Sequence, residues 1–566
     1  MLEKSFRSRV LAGLAVAMAL AIAAAIAAVA VADERPASLT AREQALHVLN
    51  RLAFGPRPGD VDRVVAMGVD AWIDQQLHPG RIPDGFVEAR LADLSTLRLS
   101  NAELVAQFVV PLREARKRLK AEKASAGPGD GEPGDGAQKL RDLVPPENRP
   151  RRILEDLTQE RIIRAAESQR QLNEVMVDFW MNHFNVYANK GLDRIFVATF
   201  ERDTVRPRIW GRFEDLLRAT AQSPAMLVYL DNARSAAVEE HRPAGFARMR
   251  NANGKGPTGL NENYARELLE LHTLGVDGGY TQKDVTELAR VLTGWSIGLP
   301  RGERADRAMR QGRYPRREAA PEEPGNFFFR ARLHDTGDKT VLGRRFSGGG
   351  IEEGEAALRM LARQPATARH LAYELCRRLV ADEPPPALVE RVAARYLATG
   401  GDLTETVRSI VTSPEFFDPR SYRAKIKSPF EYAISAVRAV HGATDGRALA
   451  RQIADMGEPL YLCQPPTGYS DTASAWVNSG ALLARLNFAI ALAQGRLAGT
   501  AVDAQRLPAA GTGRQVQDGA YMLVGTDVSA ETLATISKRM AEDPGEGSAR
   551  TLMAGLILGS PEFQRQ

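Results

Sequence analysis

Acids and amides recur three or four residues apart in the segment QLNEVMVDFWMNHFNVYANKG, and they are Glu174, Asp178, Asn182 and Asn185. At helical spacing these side chains share one narrow stripe, and Trp180 and Phe184 belong to an apolar face of the same helix. Buried carboxylates are costly unless they are paired or bind a cation. The stripe therefore needs arginines, backbone groups, a metal or a ligand beside it, as either a structural polar network or a functional site. His183 lies at its margin, nearer the aromatic side.

A second candidate is the helix predicted by NENYARELLELHTLG, which Asn261 can cap and Gly275 can end. Glu262, Arg266 and Glu270 are successive i,i+4 partners, typical of a solvated or interfacial ladder. His272 lies on the opposite arc, about 140° from Glu267. The two side chains cannot share a metal from within this helix, so we interpret His272 as a core histidine. A ligand role would require a partner from elsewhere.

The pair His334-Asp335 is the third candidate, because histidine and aspartate serve in metal binding and proton transfer. The alternative is that Asp335 is an ordinary turn residue. If this pair met His183 and His272 or Glu267 in one cleft, a metal could lower the pKa of a bound water for hydrolysis.

Several common sites are missing from the sequence. It has no nucleophile elbow, phosphate loop or dinucleotide fingerprint. The formal charge is +5, and removal of the first 32 residues leaves 72 basic against 69 acidic residues. No basic helix with interleaved aromatic residues occurs, which excludes nucleic acid as a partner. No cofactor is indicated, and the sequence does not decide whether the protein is an enzyme.

The composition predicts a mainly helical fold, because alanine, leucine and arginine are abundant while aromatic residues make up 6%. Thr281 and Asp284 predict a capping box at a helix start. Strand signal is concentrated near 326–346, where two short runs flank Thr336-Gly337-Asp338 and predict one β-hairpin. Cys376 and Cys463 either pair or remain separate buried thiols.

The N-terminus predicts export. The basic start MLEKSFRSRV precedes a long uncharged apolar run, and Ala30-Val31-Ala32 provides a small-x-small cleavage site. We expect a periplasmic or extracellular protein, with an N-terminal anchor as the alternative if the leader is not cleaved. No later segment is long and apolar enough to span a bilayer.

The remaining chain divides by composition into segments. We predict a signal peptide at 1–32, an N-terminal helical segment at 33–120, a disordered Gly/Pro-rich linker at 121–150, a central helical domain carrying the candidate residues at 151–435, and a C-terminal helical segment at 436–566. Two further long irregular insertions are predicted near 236–260 and 300–324.

Motifs along the whole predicted mature chain together resemble one bacterial family, the domain of unknown function 1800. They are HVLNRLAFGPRPGDV, MVDFWMNHFNVY, SPAMLVYLDN, NENYARELLELHTLGVDGGYTQKDVTELARVLTGW, HDTGDKTVLG, KSPFEY and GYSDTASAWVNSGALLARLNFA. The resemblance implies an exported, mostly helical protein and no established reaction. Positions that match its motifs are Trp180, His183, Asn261, Glu262, Arg266, Glu267, His272, Trp295, His334 and Asp335.

Two functions are compatible with these observations. The favoured one is a binding or assembly protein of the cell envelope, which holds an envelope protein or polymer. The alternative is an exported metal-dependent hydrolase with a cleft formed by the 174–185, 262–272 and 334–335 segments. Metal ligation would need donor atoms within about 2.0–2.6 Å of one point.

Overall fold

The computed structural model describes residues 38–125, 135–238, 241, 259–299, 323–542 and 549–566. The predicted leader and most of the two insertions lie outside these residues. The described structure is 61% helical, which confirms the predicted mainly helical fold class.

Helices up to residue 229 are α1 (Ala41–Arg51), α2 (Asp60–Met67), α3 (Val69–Gln76), α4 (Gly85–Arg90), α5 (Asn101–Leu104), α6 (Val110–Ser125), α7 (Asp135–Leu143), α8 (Arg151–Glu167), α9 (Gln171–His183), α10 (Asp193–Thr199), α11 (Phe213–Ala221) and α12 (Pro224–Tyr229). Later helices are α13 (Asn263–Glu270), α14 (Gln282–Val291), α15 (Ile351–Ala362), α16 (Pro365–Leu379), α17 (Pro386–Ala398), α18 (Leu403–Val411), α19 (Pro429–Ala439), α20 (Arg447–Asp455), α21 (Ala473–Trp476), α22 (Ser479–Ala493), α23 (Arg514–Val524), α24 (Ala530–Glu542), α25 (Ala549–Leu558) and α26 (Pro561–Gln564).

Capping side chains set several helix starts. Thr281 and Asp284 form the predicted capping box of α14, because each satisfies a backbone N–H that has no intrahelical acceptor. Ser428 and Glu431 form the same motif at α19, with Pro429 at the first helical position. These helix starts can therefore be predicted from the sequence.

Short strands form three two-stranded antiparallel sheets: β1 (Trp295–Ile297) with β2 (Phe327–Phe329), β3 (Asp338–Val341) with β4 (Arg344–Ser347), and β5 (Ala443–Thr444) with β6 (Thr500–Ala501). A hairpin does occur in the predicted region, but its turn is Leu342-Gly343, where both residues have positive φ. The phenylalanine strand pairs with β1 instead, because Trp295 and Phe327 pack edge to face across that sheet.

Helix α19 lies at the centre of the core, and each of its residues is buried. It packs on α8, α20, α22 and α23. Buried apolar residues from Ala45 to Phe563 form one continuous cluster around it. The predicted boundary at 435 falls inside this helix, so the 151–435 and 436–566 segments do not have separate cores.

The segment 121–150, predicted as a disordered linker, is ordered in the part that the structure describes. Helix α6 extends to Ser125, and α7 occupies Asp135–Leu143. Val144 is buried, and the Asn148 amide donates to the Gln107 carbonyl at 2.7 Å. The sequence-based prediction missed this order because it weighed glycine and proline content without the tertiary contacts.

Cys376 and Cys463 are separate buried thiols. Burial raises the pKa of Cys376 to about 12 and that of Cys463 to about 11, which keeps both protonated and unreactive at neutral pH. Within the described ranges, no helix has both the length and the apolar character needed to cross a bilayer.

Candidate functional site

The stripe of Glu174, Asp178, Asn182 and Asn185 runs along α9 and faces arginines and a loop, residues 458–471. The opposite face of α9 is in the core, where Trp180 and Phe184 stack with ring centroids 5.9 Å apart. Helix α9 is fixed at its start by Gln171, whose amide donates to the Ala165 and Ser168 carbonyls. The stripe is therefore held rigidly against its partners.

Glu174 binds one arginine with both carboxylate oxygens. The Arg206 Nη1 donates to them at 2.7 and 2.8 Å, and its Nη2 donates to Glu201 at 2.7 Å. Glu201 and Arg206 are five residues apart. The π-helical stretch Phe200–Val205 places residues at this spacing on the same side of the helix. Burial raises the pKa of Glu201, but Arg206 and Arg161 outweigh it, so the net shift is downward.

Asp178 lies between two arginines. One oxygen accepts from Arg161 and the other from Arg378 Nη2 at 3.0 Å. The Arg378 Nη1 also contacts Glu431 at 2.8 Å and Asp471 at 3.2 Å. These contacts compensate the partly buried charge of Asp178, as the stripe required.

Asn182 and Asn185 bind the loop 458–471 through its backbone. The Asn182 amide donates to the Tyr469 carbonyl at 2.8 Å, and its oxygen accepts from the Tyr469 N–H at 2.7 Å. Asn185 donates to the carbonyls of Cys463 and Pro465 at 3.0 and 2.7 Å. Both amides therefore have a structural role in holding this loop.

Tyr461 in the same loop has φ of 62°, an uncommon conformation for a residue with a Cβ. Its hydroxyl donates to Glu201 at 2.6 Å, and Arg161 stacks 5.0 Å from its ring centroid. These contacts, with the Ala188 N–H bonding the Tyr461 carbonyl at 3.0 Å, hold the residue in that conformation.

A cavity of about 50 Å³ lies between the stripe and this loop, enough for only a few water molecules. Asp178, Arg378, Glu458 and Trp476 are among the lining residues. Burial, followed by the nearby charge of Asp178, raises the pKa of Glu458 to about 8. Glu458 is thus protonated at neutral pH, and its Oε2 accepts from the Phe430 N–H at 2.8 Å.

His183 and His272 do meet, with ring centroids 6.0 Å apart. The His183 Nδ1 lies 2.7 Å from Glu374 Oε2, and His370 is a third ring, 6.3 Å from His183. Burial, then the charges of His183 and His370, lowers the pKa of His272 well below its ordinary value. His272 is buried in the core as predicted, but it lies beyond α13, which ends at Glu270 and not at the predicted Gly275.

Glu262 and Arg266 connect α13 to α14. Glu262 accepts from Thr286 at 2.7 Å and from Gln282 at 2.8 Å, and Arg266 lies 3.5 Å from Glu262. The predicted ladder is thus interfacial. Glu267 lies on the same helix, where burial and the nearby Glu270 raise its pKa.

Asp335 is held by Arg290, which donates to both oxygens at 2.8 and 3.0 Å. Burial raises the Asp335 pKa, but the hydrogen bond from Arg290 outweighs it, and the net shift is downward. His334 places Nδ1 2.9 Å from the Thr293 carbonyl and Nε2 3.3 Å from Glu353. Lys339 contacts the same Glu353 oxygen at 2.6 Å.

The predicted common cleft is therefore not formed. The 174–185 and 262–272 segments meet at His183 and His272, whereas His334 and Asp335 bind Thr293 and Arg290 in another network. In the part of the chain that the structure describes, no ring contact or hydrogen bond joins His334 to His183 or His272. The same described residues contain no group of three or more histidine, cysteine, aspartate or glutamate side chains arranged to hold a metal ion. The donor set of the predicted metal site is not assembled.

Sequence reasoning missed the partners of the stripe: Arg161, Arg206, Arg378, Glu201, Tyr461 and Glu458. Buried carboxylates on α9 indicated that arginines were one possible partner, but they did not identify which ones. A signal was present for the loop, because GYSDTASAW was among the motifs of the family resemblance.

The comparisons with known proteins support one assignment. A family model described as "Protein of unknown function (DUF1800)" matches residues 47–565. No curated protein and no solved structure matches the chain. The match covers nearly the whole sequence and includes the stripe, the histidines and the loop 458–471, so this chain belongs to the DUF1800 family of proteins of unknown function.

Proposed function

We propose that this protein is an exported binding or assembly protein of the cell envelope and that it holds its partner in a groove on its surface. The observation that carries the proposal is a contrast. Glu174, Asp178 and Asp335 each bind arginines within the protein. In the open groove, three of the arginines have no carboxylate partner among the residues that the structure describes. The predicted leader supports export.

The groove has a volume of about 730 Å³ and lies between α8, α20 and residues 459–462, within the usual range of ligand sites. We call it the arginine-rimmed groove. Its arginines are Arg151, Arg152, Arg447 and Arg451. Leu460 lines both this groove and the cavity beside Asp178, so one loop connects the fixed network to the proposed contact surface.

A binding role fits these contacts better than proton transfer. A general base must reach a substrate proton within about 2.6–3.2 Å, and Asp178 and Glu174 already accept hydrogen bonds from arginines at such distances. Releasing either acid would leave a buried guanidinium without its partner, which is costly. The stripe is therefore a scaffold that fixes the loop.

Co-sedimentation with isolated envelopes of the producing cells tests the proposal. We expect the purified chain to pellet with the envelope fraction and the double variant R447Q/R451Q to remain largely in the supernatant. The matched control is R496Q/R514Q, which removes two exposed arginines outside the groove and should pellet normally. A chain that stays in the supernatant with every envelope fraction contradicts the proposal.

A further inference from the structure

We infer that the arginine-rimmed groove binds an anionic amphiphile of the envelope: a single acyl chain that ends in a carboxylate or phosphate. This inference rests on the proposed binding function and specifies what the groove recognises. Three properties of the groove carry it, namely its arginines without a carboxylate partner, its aliphatic floor and the short helix α20 that forms one wall.

The groove is lined by four arginines and three acidic residues, so its formal charge is positive. Among the described residues, no ion pair joins a carboxylate to Arg152, Arg447 or Arg451. Arg152 donates to the Ser95 hydroxyl at 2.9 Å and Arg447 to the Gln159 side chain at 3.0 Å. Guanidinium groups bind carboxylates and phosphates with paired hydrogen bonds, so an anionic head group would complete this rim.

Acidic residues in the groove cancel part of this charge, but not all of it. Glu155 pairs with Arg151 at 2.6 Å. Asp156 is buried and accepts from the Thr96 hydroxyl at 2.8 Å. Asp156 and the exposed Asp93 face the three remaining arginines, which leaves a formal charge of 3 − 2 = +1 on the lining.

The floor of the groove is aliphatic. Its apolar lining consists of Leu94, Leu154, Ala450, Ala454, Pro459, Leu460 and Leu462, and no aromatic side chain belongs to it. Nucleobases are commonly bound by stacking on aromatic rings, and this groove offers no such ring. Leucine and alanine methyl groups suit a flexible hydrocarbon chain, whose burial is favourable in proportion to the apolar area covered.

The short helix α20, which forms one wall of the groove, favours a small molecule over a peptide. Arg447 and Arg451 lie four residues apart on one face of α20, which has nine residues and is about 13–14 Å long. A peptide helix of that length falls below the roughly 12–15 residues needed for even marginal stability in isolation. An acyl chain has no such requirement.

Direct titration of the purified chain with dodecyl phosphate, dodecanoate, dodecan-1-ol and inorganic phosphate, each below its aggregation concentration, tests the inference. We expect both anionic amphiphiles to bind and the alcohol and inorganic phosphate to bind at least about tenfold more weakly, because charged hydrogen bonds and chain burial both contribute. R447Q/R451Q should weaken the anionic probes about tenfold, and Ala454→Phe should block the floor. R496Q/R514Q should bind like the unmodified chain.

Several results would overturn the inference. They are equal binding of dodecan-1-ol, inorganic phosphate binding as tightly as dodecyl phosphate, no response to R447Q/R451Q, or a leucine- and glutamate-rich peptide binding more tightly than either amphiphile. Thermal unfolding of each variant shows that the fold is retained. Extraction of lipid from the envelopes distinguishes this inference from the proposed binding function. If the chain still pellets with extracted envelopes, the binding function stands and the lipid ligand is rejected.

Discussion

Arg206 is the residue on which the acids of the buried network depend most directly. It bridges Glu174 and Glu201, which expose only 5% and 2% of their side chains. Removal of one partner from a buried ion pair is far more costly than the net value of the pair, because the other charge remains buried.

We expect Arg206→Met to lower the free energy of unfolding by about 3–5 kcal/mol, since both acids lose their main partner. Denaturant unfolding followed by circular dichroism measures this. The double variant E174Q/R206M should recover part of the loss, because one uncompensated charge is removed with the arginine. Equal stability of R206M and the unmodified chain would contradict the network as described.

His47 gives the fold a predictable sensitivity to acid. It is fully buried against Phe416, with ring centroids 4.6 Å apart. Burial, followed by the charge of Arg51, lowers its pKa from 6.5 to about 3. Between pH 6.5 and 3, only the unfolded chain then takes up a proton on His47. The contribution of neutral His47 to the free energy of unfolding is therefore fully present above about pH 6.5 and is lost as the pH falls.

At pH 5 this linkage amounts to about 2 kcal/mol relative to neutral pH. We therefore expect the loss of unfolding free energy between pH 7.5 and pH 5 to be about 2 kcal/mol smaller in His47→Gln than in the unmodified chain. His272, whose pKa is also lowered by burial, should account for part of the remaining dependence. An identical pH profile for both chains would show that His47 is protonated in the folded state.

At the scale of elements, the loop 458–471 depends on a glycine where it meets α9. Gly468 has φ of 69°, and a Cβ there would lie 2.4 Å from Asn182 Oδ1. No side chain fits between the loop and the asparagine that binds it. Backbone freedom and close approach are both required at this position.

We expect Gly468→Ala to destabilise the fold by about 1–3 kcal/mol, since the positive φ and the clash both oppose alanine. Limited proteolysis should cleave the loop 458–471 sooner in this variant. The matched control is Gly495→Ala, where φ is 63° and the space around a Cβ is open. At this position only the positive φ opposes alanine. Equal effects in the two variants would mean that Asn182 does not constrain the loop.

The placement of helices was partly predictable from local sequence. The Thr281 cap and the buried face of α13, with Ala265, Leu268 and Leu269, were correctly predicted because caps and periodicity are local properties. The end of α13 was not, since the helix stops at Glu270, before His272. The pairing of the phenylalanine strand was missed, since the two partners Phe327–Phe329 and Trp295–Ile297 are separated by an insertion and meet only in the folded chain. Proximity in sequence had favoured a hairpin with the next run.

At the scale of the molecule, the continuous core links the N- and C-terminal segments. Helix α19 is buried on all sides, and it packs on α8 before it in sequence and on α22 and α23 after it. A chain cut at residue 435 would expose much of that apolar surface, which is the dominant source of stability.

We therefore expect the fragment 33–435 to lack fixed tertiary packing, with weak near-ultraviolet circular dichroism and exposed apolar surface that binds a hydrophobic dye. The chain from 33 to 566 should unfold in one cooperative transition and serves as the control. A fragment 33–435 with native-like near-ultraviolet signal would show that the 151–435 segment folds independently.

The sequence by itself determined the helical class, the helix caps, the core position of His272 and membership of the family, since composition, periodicity and motifs are properties of the linear chain. It also established that Glu174 and Asp178 needed compensation, because burial of charge has a known cost. Only the tertiary structure decided what compensates them, since Arg161, Arg206 and Arg378 lie 17, 32 and 200 residues along the chain from the acids that they bind. The separation of His334 from His183, and the meeting of α8 and α20 in an open groove, likewise depend on long-range packing that no local pattern encodes.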